Sequence, residues 1–150
     1  ELNDPIPGMA VQVAGTHSSI PSNITTRIDF NTVVTSRGGM TLENGTIVVP
    51  KDGWYSVSGN ITFAASTSSA RRILMLGVGS SSGVFSDYFG SATLASAQSP
   101  ASISGLSVSA NVYLEAGQCV GLAANVKDTS WGLQYDQSYY CNLQAAYMGP

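Results

Sequence analysis

Charge is what this 150-residue chain has least of. Asp, Glu, Lys and Arg together make up 10% of it, against about a quarter in ordinary soluble domains. The cations are Arg27, Arg37, Lys51, Arg71, Arg72 and Lys127, and only Arg71 and Arg72 are adjacent. So scattered a set offers no basic stripe to a phosphate backbone, which argues against nucleic-acid binding. Long apolar runs are missing too, so no membrane-spanning helix is expected. Helix signals are nearly absent, with no long stretch of apolar residues at i, i+3, i+4 and i+7. No secretory leader stands at the start. The chain opens on Glu1 rather than Met, so a longer parent is expected. Cysteine is scarce: Cys119 and Cys141 stand alone, outside any CxxC pair, which argues against zinc. They read as two buried thiols, with a single disulfide as the alternative in an oxidising compartment.

What remains is 43% hydrophobic, enough to bury a real core in one domain. With so few charges, Ser, Thr, Asn, Gln and Gly must cover the surface, as is common in extracellular and virion proteins. Val, Ile, Thr and Tyr recur in short runs separated by Gly, Pro, Asn and Asp, the mark of strands. The clearest run is Trp54 to Phe63. Tyr55, Val57, Gly59, Ile61 and Phe63 form one face; Trp54, Ser56, Ser58, Asn60 and Thr62 form the other, alternating with the period of a pleated strand. The polar face carries one oddity, the indole of Trp54.

Further strands are expected at Met9 to Ala14, in "TTRIDFNTVVTS" with Ile28, Phe30 and Val33 inward, in "RILMLGVG", and in "ISGLSVSANVYLEAG" with Val108, Ala110, Val112 and Leu114 inward. "QCVGLAANV" and the terminal "YYCNLQAAYMGP" complete the set. Asn44-Gly45 marks a tight hairpin, and Pro50 to Gly53 a second turn. The Ser/Gly/Ala stretch from Ser80 to Ser102 reads mostly as loop with one short strand. About eight to ten short strands and no helix give an all-β class, an antiparallel sandwich or barrel.

The segment "FNTVVTSRGGMTLENGTIVVPKDGWYSVSGNITF" resembles the N-terminal half of a C1q/TNF-like head domain, through Phe30, Gly39, Asn44, Gly45, Pro50, Gly53 and Tyr55. "SVSANVYLEAGQCVGLAA" is similar to a later strand pair of that family, through Gly117, Val120 and Leu122. The ending lacks the aromatic-rich run usual in vertebrate members and looks more like the heads at the tips of bacteriophage fibres and tail proteins. The resemblance implies a jelly roll of about ten strands over residues 9–150. It implies a homotrimer with both termini on one side, and residues 1–8 as an extended lead-in to a stalk or another virion protein. It also implies a binding role rather than an enzymatic one, with a location on a virion or outside cells. On that reading Trp54 is a candidate for a subunit contact, where aromatics are enriched.

Catalytic signals are weak. "GSSSG", Gly79 to Gly83, matches G-x-S-x-G around Ser81, but that motif needs a following helix and a downstream His, and the single His is His17. No cofactor is expected. Calcium is an alternative, because some C1q-like heads bind it through loop oxygens; no D-x-D-x-D-G run is present, however. Binding is expected on loops. One candidate groups Trp131, Tyr135, Asp128 and Asp136; the other groups Asp87 and Tyr88 with Phe85 and Phe89. Aromatics among carboxylates and amides suit a host cell-surface glycan or a protein hot spot. A structural role is the alternative, as a trimerisation cap or capsid decoration without its own receptor.

Overall fold

A computed structural model describes residues 5–15, 17–64, 71–94, 104–127, 131–133 and 141–150. Eleven strands run β1 (Gly8–Gln12), β2 (Thr26–Arg27), β3 (Thr32–Arg37), β4 (Thr41–Glu43), β5 (Thr46–Val48), β6 (Gly53–Phe63), β7 (Arg72–Gly79), β8 (Asp87–Leu94), β9 (Ser104–Leu114), β10 (Cys119–Val126) and β11 (Asn142–Gly149). They form two antiparallel sheets. The first has the order β3-β1-β11-β6-β9; the second has β4-β5-β10-β7-β8, with β2 added beside β10.

The core lies between the sheets. On β6 the inward residues Tyr55, Val57, Ile61 and Phe63 are fully buried, beside Leu143 of their own sheet and with Leu74, Leu76 and Leu122 buried on the second sheet. Each such side chain contributes about 1.5–3 kcal/mol of burial. Tyr55 is the exception in kind, since a phenol needs a partner indoors. Its hydroxyl donates to the Lys51 carbonyl at 2.7 Å, inside the turn that the sequence placed at Pro50 to Gly53. The Asn44-Gly45 hairpin forms as expected between β4 and β5. Both residues take positive φ, 51° and 79°, the backbone that a two-residue turn demands.

Three strand expectations change. "TTRIDFNTVVTS" is not one strand. β2 joins the second sheet and β3 the first, so the chain crosses the sandwich between them, and Ile28 and Phe30 are buried on the way. Val33 is 46% exposed because β3 is an edge strand whose register against β1 shifts between Ala10 and Val11. The Ser/Gly/Ala stretch holds a full strand, β8, paired with β7 from Asp87 to Leu94.

Connections gather at two ends. β6 begins where β9 ends, Gly53 opposite Leu114, and β10 begins where β7 ends, Cys119 opposite Gly79. That end carries the Pro50–Asp52 turn, the 80–86 loop and the 115–118 turn. It also carries the start of β1 and the close of β11, where the Tyr147 N–H donates to the Pro7 carbonyl at 3.0 Å. Both ends of the described chain therefore lie on one side, as the resemblance implied.

Candidate functional site

The outward face of the first sheet has an unusual composition. Reading across β6, β9, β11 and β1, it presents Ser56, Ser58, Asn60, Ser107, Ser109, Asn111, Gln144, Ala146, Ala10 and Gln12, without one charged residue. Arg37 on the edge strand β3 is the face's single charge. Large apolar groups interrupt this polar field. Trp54, Tyr113 and Met148 are 46%, 47% and 52% exposed at the end that holds the termini. Val33 and Val34 are exposed on β3. Trp54 and Tyr113 are cross-strand partners with ring centroids 5.7 Å apart, edge to face. Solvation alone does not call for such a ridge on a sheet of hydroxyls and amides; an exposed aromatic cluster rimmed by polar residues is the composition of a contact surface.

Beside the ridge lies a groove of about 600 Å³. Its floor is small, with Gly8, Ala10, Ser56 and Ala146, and Arg37 stands on its rim. Gln144 Nε2 donates to Ser58 Oγ at 3.0 Å along its far side.

The described parts of the two loop candidates, Trp131 and the Asp87–Tyr88 pair, fall at opposite ends of the sandwich. Asp87 and Tyr88 open β8 at the end that holds the termini. Both are exposed, and Asp87 Oδ1 accepts the Tyr88 N–H at 2.8 Å. Phe85 beneath them is an anchor. Its ring lies over Gly77 and Gly121, which face each other across β7 and β10. A Cβ at Gly77 would come within 2.5 Å of the ring and one at Gly121 within 2.7 Å, so the glycine pair is the slot that holds it. Phe85 then meets Tyr88 edge to face at 5.9 Å.

Trp131 is a correction. Expected on an exposed binding loop, it is 4% exposed. Its backbone pairs with Ile20, its indole N–H donates to the Ala64 carbonyl at 2.7 Å, and its ring meets Phe63 at 6.0 Å. The Arg72 guanidinium lies 4.2 Å from the indole centroid, and burial lowers the pKa of Arg72. Trp131 thus closes the core at the far end and presents no ring to a ligand. Its companions Tyr135, Asp128 and Asp136 lie outside the described residues.

Among the described residues, the hydrolase-like motif has no base beside it. Ser81 sits in a turn bridged to Val84, and its carbonyl lies 3.2 Å from Cys119 Sγ. His17 is engaged at both nitrogens: Nε2 accepts the Asp29 N–H at 2.9 Å, and Nδ1 donates to the Ser18 carbonyl at 2.7 Å. Arg27 pairs with Asp29 at 2.7 Å and reaches the Gly83 carbonyl, tying β2 to the 80–86 loop. Cys119 and Cys141 are both buried and do not form a disulfide. Burial raises the Cys141 pKa, against a smaller opposing contribution from the Thr62 backbone. Among the described residues, no group of three or more His, Cys, Asp or Glu is placed to hold a metal.

Sheet order and composition together define an all-β, TNF-like jelly-roll sandwich. The fold is similar to the crystal structure of murine APRIL at pH 8.0, with a TM-score of 0.71 and 11% sequence identity over 96% of this chain and 100% of that one. At that identity the likeness is one of fold. No family model and no curated sequence matches the chain.

Proposed function

We propose that this chain is the non-catalytic head of a homotrimer that presents its loops to a cell-surface glycan or protein, at the tip of a phage or virion fibre or a comparable extracellular filament. The observation that carries the reading is the outward face of the first sheet, with Arg37 as its single charge and Trp54, Tyr113 and Met148 exposed on it. A three-fold arrangement buries such a face on every copy at once. The shared position of both chain ends supports a stalk below the head. Tyr135, Asp128 and Asp136 are the first candidates to meet the receptor, and Asp87 and Tyr88, at the end that holds the termini, are the second. Three copies of a weak site raise avidity without new contacts.

Light scattering on a sizing column, over a dilution series, tests the assembly. A particle of three chains that survives dilution supports the trimeric head, and a single-chain particle refutes it. Asp87→Ala and Tyr88→Ala then test the receptor, because both side chains are exposed and their loss should reduce cell binding without changing the mass. The burial of Trp131 favours a second reading, since it removes one aromatic from the receptor surface. On that reading the trimer caps a stalk or decorates a capsid, and no loop variant changes cell binding.

A further inference from the structure

We infer that the end of the sandwich opposite the termini binds an anionic sugar, one bearing a carboxylate or a sulfate, through Arg71 and Lys127. This rests on the receptor reading and names the class of receptor.

The pair carries a cost. The last paired residues of β7 and β10 are Arg72 and Val126, both buried. One residue further out, the Lys127 N–H donates to the Arg71 carbonyl at 2.9 Å, so the ladder continues and sets Arg71 opposite Lys127. Both are exposed. Side chains directly opposite on antiparallel strands have Cβ atoms about 4.5–5.5 Å apart, and like charges there destabilise a sheet. The chain has six cations in 150 residues, and it sets two of them against each other.

Among the described residues, no carboxylate relieves them. Asp52, Asp87 and Glu115 stand at the end that holds the termini. Asp29 is held by Arg27, and Glu43 lies on β4, the edge strand beyond β5. Such a pair suits an external anion. One carboxylate or sulfate accepts from the Arg71 fork and the Lys127 ammonium at once, in charge-assisted hydrogen bonds.

The surroundings favour a sugar over a bare polyanion. Residues 22–25 lie on the other side of β10, held by the Ser22–Val126 bridge and by Asn125 Nδ2 donating to Thr25 Oγ1 at 3.1 Å. They bring a hydroxyl and the apolar side chain of Ile24, 59% exposed, to the same end, and Asn125 adds an amide. Amide and hydroxyl match sugar hydroxyls, and Ile24 offers a surface to a ring face. Two exposed cations also fall short of the run that a phosphate backbone needs. This end points away from the termini, and so away from a stalk.

The test uses the whole chain on biosensor surfaces coated with polygalacturonate, dextran sulfate, neutral dextran or polyglutamate. Wild type is expected to bind an acidic polysaccharide, to lose that binding as salt rises to about 0.5 M, and to ignore neutral dextran. Binding to polygalacturonate alone assigns a carboxylate; binding to dextran sulfate alone assigns a sulfate. The double variant Arg71→Gln, Lys127→Gln is expected to bind about tenfold more weakly, with unchanged mass and melting temperature. Equal binding of wild type and double variant overturns the inference, and so does equal wild-type binding to polyglutamate, which marks a site for any polyanion. Binding by Asp128→Asn but not by wild type overturns it too, because the pair is then neutralised by its own chain. Cell binding that survives in the double variant overturns the inference and leaves the receptor reading standing. A wild-type chain that binds neither the coated surfaces nor cells refutes the receptor reading itself.

Discussion

The glycine slot on the second sheet makes a prediction that the geometry fixes closely. Gly77→Ala places a methyl 2.5, 2.6 and 2.8 Å from three atoms of the Phe85 ring. Carbon atoms in contact prefer about 3.5–4.0 Å, so the ring must leave its seat. Overpacking of this kind costs about 1–3 kcal/mol. Opposing it, alanine is worth about 0.5–1 kcal/mol over glycine in a strand. The net expectation is a loss of about 1–2 kcal/mol in the wild-type background. In a Phe85→Ala background the methyl meets no ring, so Gly77→Ala should be neutral or stabilise by up to about 1 kcal/mol. Urea denaturation of the four proteins at one fixed protomer concentration gives the coupling; concentration must be held because assembly adds to apparent stability. A second readout is the Cys119 thiol, which lies under the 80–86 loop, 3.2 Å from the Ser81 carbonyl. Both single variants should label faster with a thiol reagent. Equal cost of Gly77→Ala in the two backgrounds, with no change in labelling, refutes the slot.

Trp131→Ala should cost about 3–5 kcal/mol, as for a buried aromatic; a variant with unchanged melting and altered cell binding would restore it to the surface. Tyr55→Phe should cost about 1 kcal/mol for the lost bond to Lys51, read by denaturant midpoint near pH 7. The same change should flatten the alkaline limb of stability. Burial holds the Tyr55 phenol above the usual 10. The folded state therefore keeps a proton that the unfolded chain gives up. That contribution is complete below pH 10 and is lost as pH rises toward the folded pKa, so wild type should lose more than the Phe variant in that range.

Legibility followed periodicity. The strand from Trp54 to Phe63 was readable because one face packs and the other does not, which writes a period of two into the residues themselves. The Asn44-Gly45 turn was readable because positive φ admits so few residue types. β8 was readable only as one short strand somewhere in a loop-like stretch, because Ser, Gly and Ala carry little strand preference; its length and place come from pairing with β7. Trp131 was misplaced for a related reason. Its neighbours Ser130 and Gly132 read as loop, and only the pairing with Ile20 and the contact with Phe63, both remote in sequence, draw the indole inside. The groove on the first sheet left no signal at all. Gly8, Ala10, Ser56 and Ala146 come from three strands, and each alone is an unremarked small residue.

The scarcity of charge bears on how such a head would assemble. Of the described cations, Arg27 is engaged with Asp29 and Gly83, Lys51 lies 4.2 Å over the Tyr147 ring, Arg72 is packed on Trp131, and Arg71 and Lys127 stand at the far end of the sandwich, joined through their backbones. Arg37 is left on the groove's rim, and one rim charge pair is worth about 0–1 kcal/mol. Such a pair sets orientation and encounter more than affinity. The affinity would reside in Trp54 and Tyr113, whose burial is insensitive to screening. Raising salt from 0.05 to 1 M shortens the Debye length from about 14 to 3 Å, yet the three-chain particle should persist. Its dissociation constant should shift by less than about tenfold per contact, whereas Trp54→Ala should disperse it at any salt. Dilution series at both salt levels measure the two effects separately. A trimer that falls apart at 1 M salt would place the binding energy in charge, of which this face carries only Arg37.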